Sequence, residues 1–294
     1  FVGLRARETD GWYHSVTDIK QILSFGAGVQ STALLLMSCR GMLPRLDLCV
    51  FSDTGWEPDE VYKHLEWCKV YAADHGIPVV TVTGGNIRNQ YMDSLNKGKQ
   101  FASIPLYVLQ NDGSRGMGRR QCTREFKITP IETYLRRTVM GLKKRQRAPK
   151  TIQMHQWMGI SYDEMQRAKR SSDKWKEHRF PFLHDLIHEP MLDKPWRRHQ
   201  IKEWLRTEFP QIHVPRSACI GCPYHSNEEW RRIKDDPKAW ADAVEFDEAV
   251  RRQPELVGSA FLHRSCKPLK DVDLRTDVDQ GLSLIHISEP TRPY

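Results

Sequence analysis

Residues 23–32 carry the densest set of groups suited to binding an anion. They read Leu-Ser-Phe-Gly-Ala-Gly-Val-Gln-Ser-Thr and are followed by the apolar run 33–37, a pattern that predicts a buried strand turning directly into a helix. Glycines let successive backbone N–H groups point into one concavity, and the helix N-terminus and first-turn hydroxyls add positive charge and donors. A phosphate is the anion that such a loop favours. Its hydroxyl-bearing and glycine positions are Ser24, Gly26, Gly28, Ser31 and Thr32.

Two well-known phosphate loops do not match this segment. A Walker loop ends in Gly-Lys-Ser/Thr, but this chain has Val29 and Gln30 there. The dinucleotide fingerprint needs a third glycine where this chain has Ser31. The segment resembles instead the PP-loop of the adenine-nucleotide alpha-hydrolase superfamily, usually Ser-Gly-Gly-x-Asp-Ser. It departs from that pattern at Gln30, where Asp is common.

The next apolar run, 46–51, ends in Asp53, Thr54 and Gly55. In an open parallel sheet, ligands gather at the carboxyl ends of the strands, so a carboxylate here would suit ribose or metal contacts. The alternative is that Asp53 serves only as a turn residue before the following helix. The stretch resembles the Asp-Thr-Gly-x-x-x-Pro-Glu segment of phosphoadenosine phosphosulfate (PAPS) reductases, a branch of the PP-loop superfamily.

Three further blocks follow the order of that family. Residues 119–130 resemble its cysteine–Arg/Lys–Pro block, and 219–223 resemble its late Cys-x-x-Cys. Residues 158–167 resemble its Gly-Ile/Leu-Arg…Glu-Ser…Arg segment, with Ser161 in place of the usual Arg. The combination is far more specific than any single block.

The resemblance implies that the chain binds an adenine nucleotide, ATP or PAPS, together with Mg²⁺. It implies catalytic roles for Ser24, Ser31 and Cys122. The residues that it implies at the nucleotide are Ser24, Phe25, Gly26, Ala27, Gly28, Gln30, Ser31, Thr32, Asp53, Thr54, Gly55, Arg124, Lys127 and Gly159.

The cysteines suggest a second kind of site. Gly221 and Pro223 predict a tight turn that aims the sulfurs of Cys219 and Cys222 the same way, and two arginines before Cys122 would favour its thiolate. Iron–sulfur members of the reductase group imply a four-iron cluster here, but only three thiolates are accounted for. The fourth ligand is left open between His225, Cys266, Cys68 and a non-protein group. Zinc, redox-active thiols and inert cysteines are the alternatives.

Composition limits the class of protein. A hydrophobic content of 39% and 9 tryptophans in 294 residues indicate a folded chain, and no apolar run approaches the length of a membrane-spanning helix. Seven irregularly spaced cysteines fit reduced thiols or a metal site better than a disulfide framework. With no recognisable leader segment, the expected location is the cytoplasm.

Apolar strands alternate with amphipathic helices in the first half of the chain, and the second half is mostly helical by pattern. This order predicts an α/β fold with a doubly wound, mostly parallel sheet and a helical C-terminal region. We expect residues 1–162 to form the nucleotide-binding domain and 163–281 to form the helical region with its Cys-x-x-Cys. Residues 282–294 resemble a translated sequencing adapter and are expected to be foreign to the fold.

The run 136–150 contains seven Lys or Arg residues and no acid. It suits a polyanionic partner such as tRNA or DNA, or else a solvated loop. Three functions remain open: an enzyme that adenylates a substrate by cleaving ATP at the α-phosphate, with sulfur transfer to nucleic acid as one outcome; a thiol-dependent reductase of PAPS or adenylyl sulfate; and a non-catalytic nucleotide-binding accessory protein. The oligomeric state is not readable from the sequence.

Overall fold

The structure, a computed structural model, describes residues 19–97, 103–183, 190–251 and 258–275, so the expectation for 282–294 lies outside the described residues. The strands are Lys20–Phe25 (β1), Leu48–Asp53 (β2), Val79–Thr83 (β3), Tyr107–Leu109 (β4), Arg115–Met117 (β5), Met154–Met158 (β6), Lys176–Arg179 (β7) and Ser259–Phe261 (β8). The α-helices are Val29–Cys39 (α1), Asp59–Asp74 (α2), Ile87–Asn96 (α3), Thr129–Tyr134 (α4), Arg198–Glu208 (α5), Asn227–Asp235 (α6) and Pro237–Val250 (α7).

Five strands form one parallel sheet in the order β3-β2-β1-β6-β7. Strand β1 is central, with Leu23 level with Cys49 on one side and Trp157 on the other. The strand order reverses between β1 and β6, and in open α/β sheets the crevice outside the carboxyl ends at such a point is where ligands bind. The predicted phosphate loop, which follows β1, therefore lies at this reversal.

Helices cover both faces of the sheet because side chains alternate along β1. Leu23 and Phe25 point into a core shared with α1, α2 and α5. Ile22 points to the opposite face and packs with Ile131 and Leu135 from the α4 region. The predicted doubly wound α/β architecture is thus confirmed.

A second core lies beside the sheet. It joins Tyr91 of α3 to Trp230 of α6 and Phe246 of α7, and the small sheet β5-β4-β8 adds Ala260 to it. The fully buried carboxylate of Asp247 accepts the backbone N–H groups of Leu262 and Leu269, each at 2.8 Å, which ties the last described segment to α7. The helical C-terminal region was predicted; the three-residue strands were not.

Strand β7 lies beyond residue 162, inside the stretch expected to be mainly helical. It reads Lys-Glu-His-Arg and carries no apolar alternation. It joins the sheet because Lys176 is buried with its ammonium 2.6 Å from Glu132, an ion pair across 44 residues that no local pattern signals. The sheet therefore does not end at the predicted domain boundary.

Within the described part of the chain, no helix is both long and apolar enough to cross a bilayer.

Candidate functional site

The turn between β1 and α1 presents its backbone rather than its side chains. Phe25 and Ala27 are buried, and Ala27 takes a left-handed backbone conformation with φ of 54°. Gly28 precedes α1 and has no side chain to cap the helix, so it leaves first-turn N–H groups to another partner. An anion at this turn would supply that partner, as the sequence predicted.

Two hydroxyls border the turn. Ser31 accepts a hydrogen bond from the N–H of Gly26 at 3.1 Å and donates to the carbonyl of Gly28 at 3.2 Å. The hydroxyl of Ser24, at the end of β1, accepts from the side-chain amide of Gln156 at 2.7 Å. Both predicted serines therefore lie at the loop, and the two hydrogen bonds of the Ser31 hydroxyl stabilise the conformation of the loop.

Two close approaches fix the walls of the loop. A side chain on Gly159 would place its Cβ 3.0 Å from the backbone nitrogen of Ser31, so only glycine lets the end of β6 meet the first turn of α1. On the other side, a Cβ on Gly28 would lie 3.3 Å from the Cβ of Ser217. Ser217 was missed by the sequence reasoning, since a serine in Val-Pro-Arg-Ser-Ala carries no motif.

Gln30, which stands where the PP-loop often has Asp, is the centre of a polar network. Its amide nitrogen donates to Glu164 at 3.0 Å, and its amide oxygen accepts from the guanidinium of Arg198 at 3.0 Å. Glu164 belongs to a block that the sequence singled out, whereas Arg198 at the start of α5 was not predicted. The network joins α1 to α5 and to the segment after β6.

Thr32 faces away from the loop. Its side chain is fully buried, and its hydroxyl lies 2.9 Å from the Nε2 atom of His64 on α2. The structure therefore places the Thr32 side chain in the core and not beside a loop-bound phosphate. Of the predicted loop residues, Thr32, Phe25 and Ala27 can offer only their backbone.

At the end of β2, Asp53 shapes the turn. One of its carboxylate oxygens accepts the N–H of Gly55 at 2.8 Å and the hydroxyl of Tyr62 at 2.9 Å. Gly55 has φ of 70°, and a Cβ there would lie 2.9 Å from Asn86. These contacts favour the turn-residue interpretation of Asp53 over a direct ligand contact.

The Cys-x-x-Cys segment docks onto the same turn. The N–H of Ile220 donates to the carbonyl of Trp56 at 2.8 Å, and the hydroxyl of Thr54 lies 3.2 Å from the sulfur of Cys219. Gly221 rests against the indole ring of Trp56 so closely that an added Cβ would overlap the ring. Ser217 and Cys219 thus border the carboxyl edge of the sheet together, at the ends of β1 and β2.

An ion pair between a buried carboxylate and a half-buried lysine lies beside Cys219. The Glu57 side chain is 1% exposed, and its Oε1 atom is 3.4 Å from the ammonium of Lys127 and 3.1 Å from the hydroxyl of Thr54. Glu57 raises the pKa of Lys127, so that side chain stays charged. Lys127 is thus paired with a protein carboxylate, while Arg124, its predicted companion, is exposed.

The cysteine thiols at this edge are not activated. Burial raises the pKa of Cys219 well above its ordinary value, and the Glu57 carboxylate adds to the increase. Burial also raises the pKa of Cys222, with a smaller contribution in the same direction from the neighbouring Cys122. At neutral pH Cys219 and Cys222 are therefore protonated.

His225 does not turn its ring nitrogens to the thiols. Its Nε2 atom lies 2.9 Å from the carbonyl oxygen of Cys219, and burial lowers the pKa of the ring to about 4, so Nε2–H is the donor. Cys68, one suggested fourth ligand, packs on α2 with its sulfur 3.4 Å from His64. Among the described residues, no group of three or more His, Cys, Asp or Glu side chains is arranged to hold a metal ion.

The contact between Gly221 and Trp56 predicts the effect of a single methyl group. Gly221→Ala is expected to lower the free energy of unfolding by about 2–3 kcal/mol, the cost of overpacking a fitted contact. Urea denaturation gives that value, and faster trypsin cleavage within 214–222 would show that the docked segment loosens. Gly116→Ala is the matched control, because no atom lies within 4 Å of the added Cβ. Equal stability of the two variants would contradict the close contact.

Comparison with known proteins does not place the chain in a family: no protein-family model matches it, and no curated protein shows significant similarity to it.

Proposed function

We propose that this chain binds the phosphates of ATP in the β1–α1 turn and cleaves ATP at the α-phosphate, transferring the adenylyl group to an acceptor. The observation that carries the proposal is the turn itself. It combines an uncapped helix N-terminus, the Ser31 hydroxyl and a glycine contact at Gly159, all at the point where the strand order reverses. The resemblance of residues 23–32 to a PP-loop implies that the bound phosphates belong to an adenine nucleotide.

The residues of the turn would act by position and charge. A nucleophile on the acceptor attacks the α-phosphorus, the bond from that phosphorus to the bridging oxygen breaks, and pyrophosphate carries away the electron pair. The first-turn N–H groups and the Ser31 hydroxyl would stabilise the charge that builds on the phosphate oxygens. In this role the Ser31 hydroxyl exchanges its bond to the Gly28 carbonyl for one to a phosphate oxygen.

Mg²⁺ would fit this turn as a companion of the phosphates. The carboxylate predicted for metal contacts, Asp53, already accepts bonds from Gly55 and Tyr62, and Glu164 accepts one from Gln30. Mg²⁺ commonly keeps several waters and takes its other ligands from substrate phosphates, so the turn needs no carboxylate cage. Bound in that way, the ion would neutralise charge on the leaving pyrophosphate.

The four-iron cluster does not fit the described residues as they stand, because no three candidate ligands converge. Of the His225 ring nitrogens, Nε2 bonds the Cys219 carbonyl, whereas the buried Nδ1 has no hydrogen-bond partner among those residues. No step of the proposed reaction uses such a group. The ligand set Cys122, Cys219, Cys222 and His225 stays a prediction.

Ser31→Ala is expected to reduce AMP formation from ATP labelled at the α-phosphate by about tenfold or more, since a single charge-stabilising donor often contributes that much. Protein is incubated with Mg²⁺ and ATP, with and without added tRNA or DNA as acceptor, and AMP and pyrophosphate are measured. Ser94→Ala is the control, because that hydroxyl on α3 donates to the Tyr91 carbonyl of its own helix. Thermal melting confirms that both variants are folded.

Other outcomes identify the competing functions. Equal AMP formation by wild type and Ser31→Ala would contradict the role of the loop. ATP binding with release of neither AMP nor pyrophosphate under any condition would overturn the proposal and favour an accessory nucleotide-binding protein. Sulfite release from PAPS would favour the reductase.

A further inference from the structure

A basic surface lies beside the phosphate turn, at the β6–β7 end of the sheet. It is formed by two segments, 162–170 after β6 and 194–199 at the start of α5. The N–H of Tyr162 donates to the Trp196 carbonyl at 2.9 Å, and the N–H of Arg198 donates to Asp163 at 2.9 Å. These bonds hold the two segments together as one surface, which we call the acceptor face.

Cations dominate the exposed positions of the acceptor face. The same segments contain two acids, and both are engaged: Asp163 accepts from the backbone of Arg198, and Glu164 bonds Gln30 and Arg167. Asp193, just outside the second segment, is exposed. The exposed cations are Arg167, Lys169, Arg170, Lys194 and Arg197.

An aromatic ring stands among these charges. The side chain of Tyr162 is 38% exposed, and the guanidinium of Arg197 lies 5.4 Å from the centre of its ring. Tyr162 and Arg197 also line a surface pocket with His199 and Gln200. An exposed ring beside cations is the arrangement that stacks a nucleic-acid base while the cations meet the backbone phosphates.

The acceptor face is connected directly to the phosphate turn. Arg198, between Arg197 and His199, donates to Gln30 in the first turn of α1. Arg198 thus links the acceptor face, where a nucleic-acid strand would stack on Tyr162, to α1, the helix whose N-terminus borders the phosphate turn. The earlier candidate run, 136–150, has more cations but contains no aromatic residue.

We propose that the acceptor face binds a single-stranded segment of nucleic acid and presents it to the phosphate turn as the acceptor. The assignment rests on the proposed function, because it names the class of molecule that would receive the adenylyl group. The nucleic-acid strand would be bound even in the absence of ATP, through contacts to its backbone phosphates and through stacking of a base on Tyr162.

Binding is measured without ATP, so its outcome is separate from that of the AMP assay. Fluorescence anisotropy follows labelled single strands of DNA and RNA of about 20 nucleotides, long enough to cover a compact binding site. Tyr162→Ser is expected to weaken binding by about tenfold through loss of stacking, whereas Tyr162→Phe keeps the ring and is expected to bind like wild type. The Tyr162 backbone bond to Trp196 is retained in both variants.

The cations are tested through the salt dependence. The triple variant Arg167→Gln, Lys169→Gln and Arg170→Gln is expected to lower the slope of log affinity against log salt by about two. The matched control is the triple variant Lys143→Gln, Lys144→Gln and Arg147→Gln in the other basic run.

Several results would overturn the proposal. One is a reduced salt dependence that occurs in the control triple variant and not in the acceptor-face triple variant. Others are equal affinity of Tyr162→Ser and Tyr162→Phe for the labelled strand, or tighter binding of a duplex than of a single strand. The last is the absence of binding to any strand. Any of these can occur while the AMP assay still depends on Ser31, which would leave the nucleotide function standing with another acceptor.

Discussion

Lowering the pH from 6.5 to 4 is expected to reduce the free energy of unfolding by several kcal/mol, because three buried histidines resist protonation in the folded chain. Burial lowers the pKa of His64, His225 and His263 to about 4 in each case. Positive neighbours add to the effect, His213 for His64 and Arg264 for His263. All three histidines are less than 9% exposed.

The direction follows from proton uptake. An unfolded histidine titrates near 6.5, so between that pH and about 4 the unfolded chain binds more protons than the folded one. Stability from these groups is therefore complete above pH 6.5 and is lost as the pH falls towards 4. For His64 alone the difference corresponds to about 3 kcal/mol.

His64 allows this effect to be isolated. His64→Gln keeps a polar group for the Thr32 hydroxyl but removes the titrating ring. Between pH 6.5 and pH 4, the decrease in the free energy of unfolding is therefore expected to be about 3 kcal/mol smaller for this variant than for the wild type. Urea unfolding at a series of pH values gives both curves. His75→Gln, which replaces an exposed histidine directly after the same helix, is the control substitution. Parallel curves for His64→Gln and wild type would contradict the assignment.

His64 also shows where sequence reasoning reached its limit. The turn from β1 to α1 was predictable because its glycines and hydroxyls lie within ten consecutive residues between two apolar runs. The opposite orientation of Thr32 was not, because it depends on a histidine 32 residues away on α2. The sequence therefore located the loop but could not separate side chains that face it from those that face the core.

The same limit applies to the partners of the loop. Gln30 meets Glu164 across 134 residues and Arg198 across 168, and neither contact has a local signal. Parallel strands and their helices were visible from apolar periodicity, whereas β7 was not, since ion pairing rather than apolar alternation buries it. Contacts between distant polar residues decide the site, and these are the contacts that a single sequence does not reveal.

Lys127→Met is expected to lower the free energy of unfolding at neutral pH by about 1–3 kcal/mol, because it leaves the buried carboxylate of Glu57 without its half-buried cation. The side chain of Glu57 is 1% exposed, and its Oε2 atom has no hydrogen-bond partner among the residues that the structure describes. Among the described residues, the Thr54 hydroxyl and the Cys219 thiol would then be the remaining donors to the carboxylate. Methionine keeps most of the lysine stem, so the loss reports the charge and not a cavity.

The double variant Lys127→Met with Glu57→Gln separates this explanation from simple loss of packing. With no buried charge left, it is expected to recover most of the stability, as replaced buried ion pairs often do. Arg124→Met, a neighbouring exposed cation, should change the unfolding free energy by less than about 0.5 kcal/mol. A double variant no more stable than Lys127→Met would contradict the unpaired-charge explanation.

The ion pair also holds the Cys-x-x-Cys segment, since Glu57 and Thr54 both contact the sulfur of Cys219, at 3.7 and 3.2 Å. Lys127→Met is therefore expected to increase the rate at which iodoacetamide labels Cys219, measured by mass spectrometry of the peptide. Labelling of Cys39, on the far end of α1, serves as the internal control. Unchanged labelling of Cys219 in a destabilised variant would mean that the segment is held by Trp56 alone, and the ion pair would then support the core and not the candidate site.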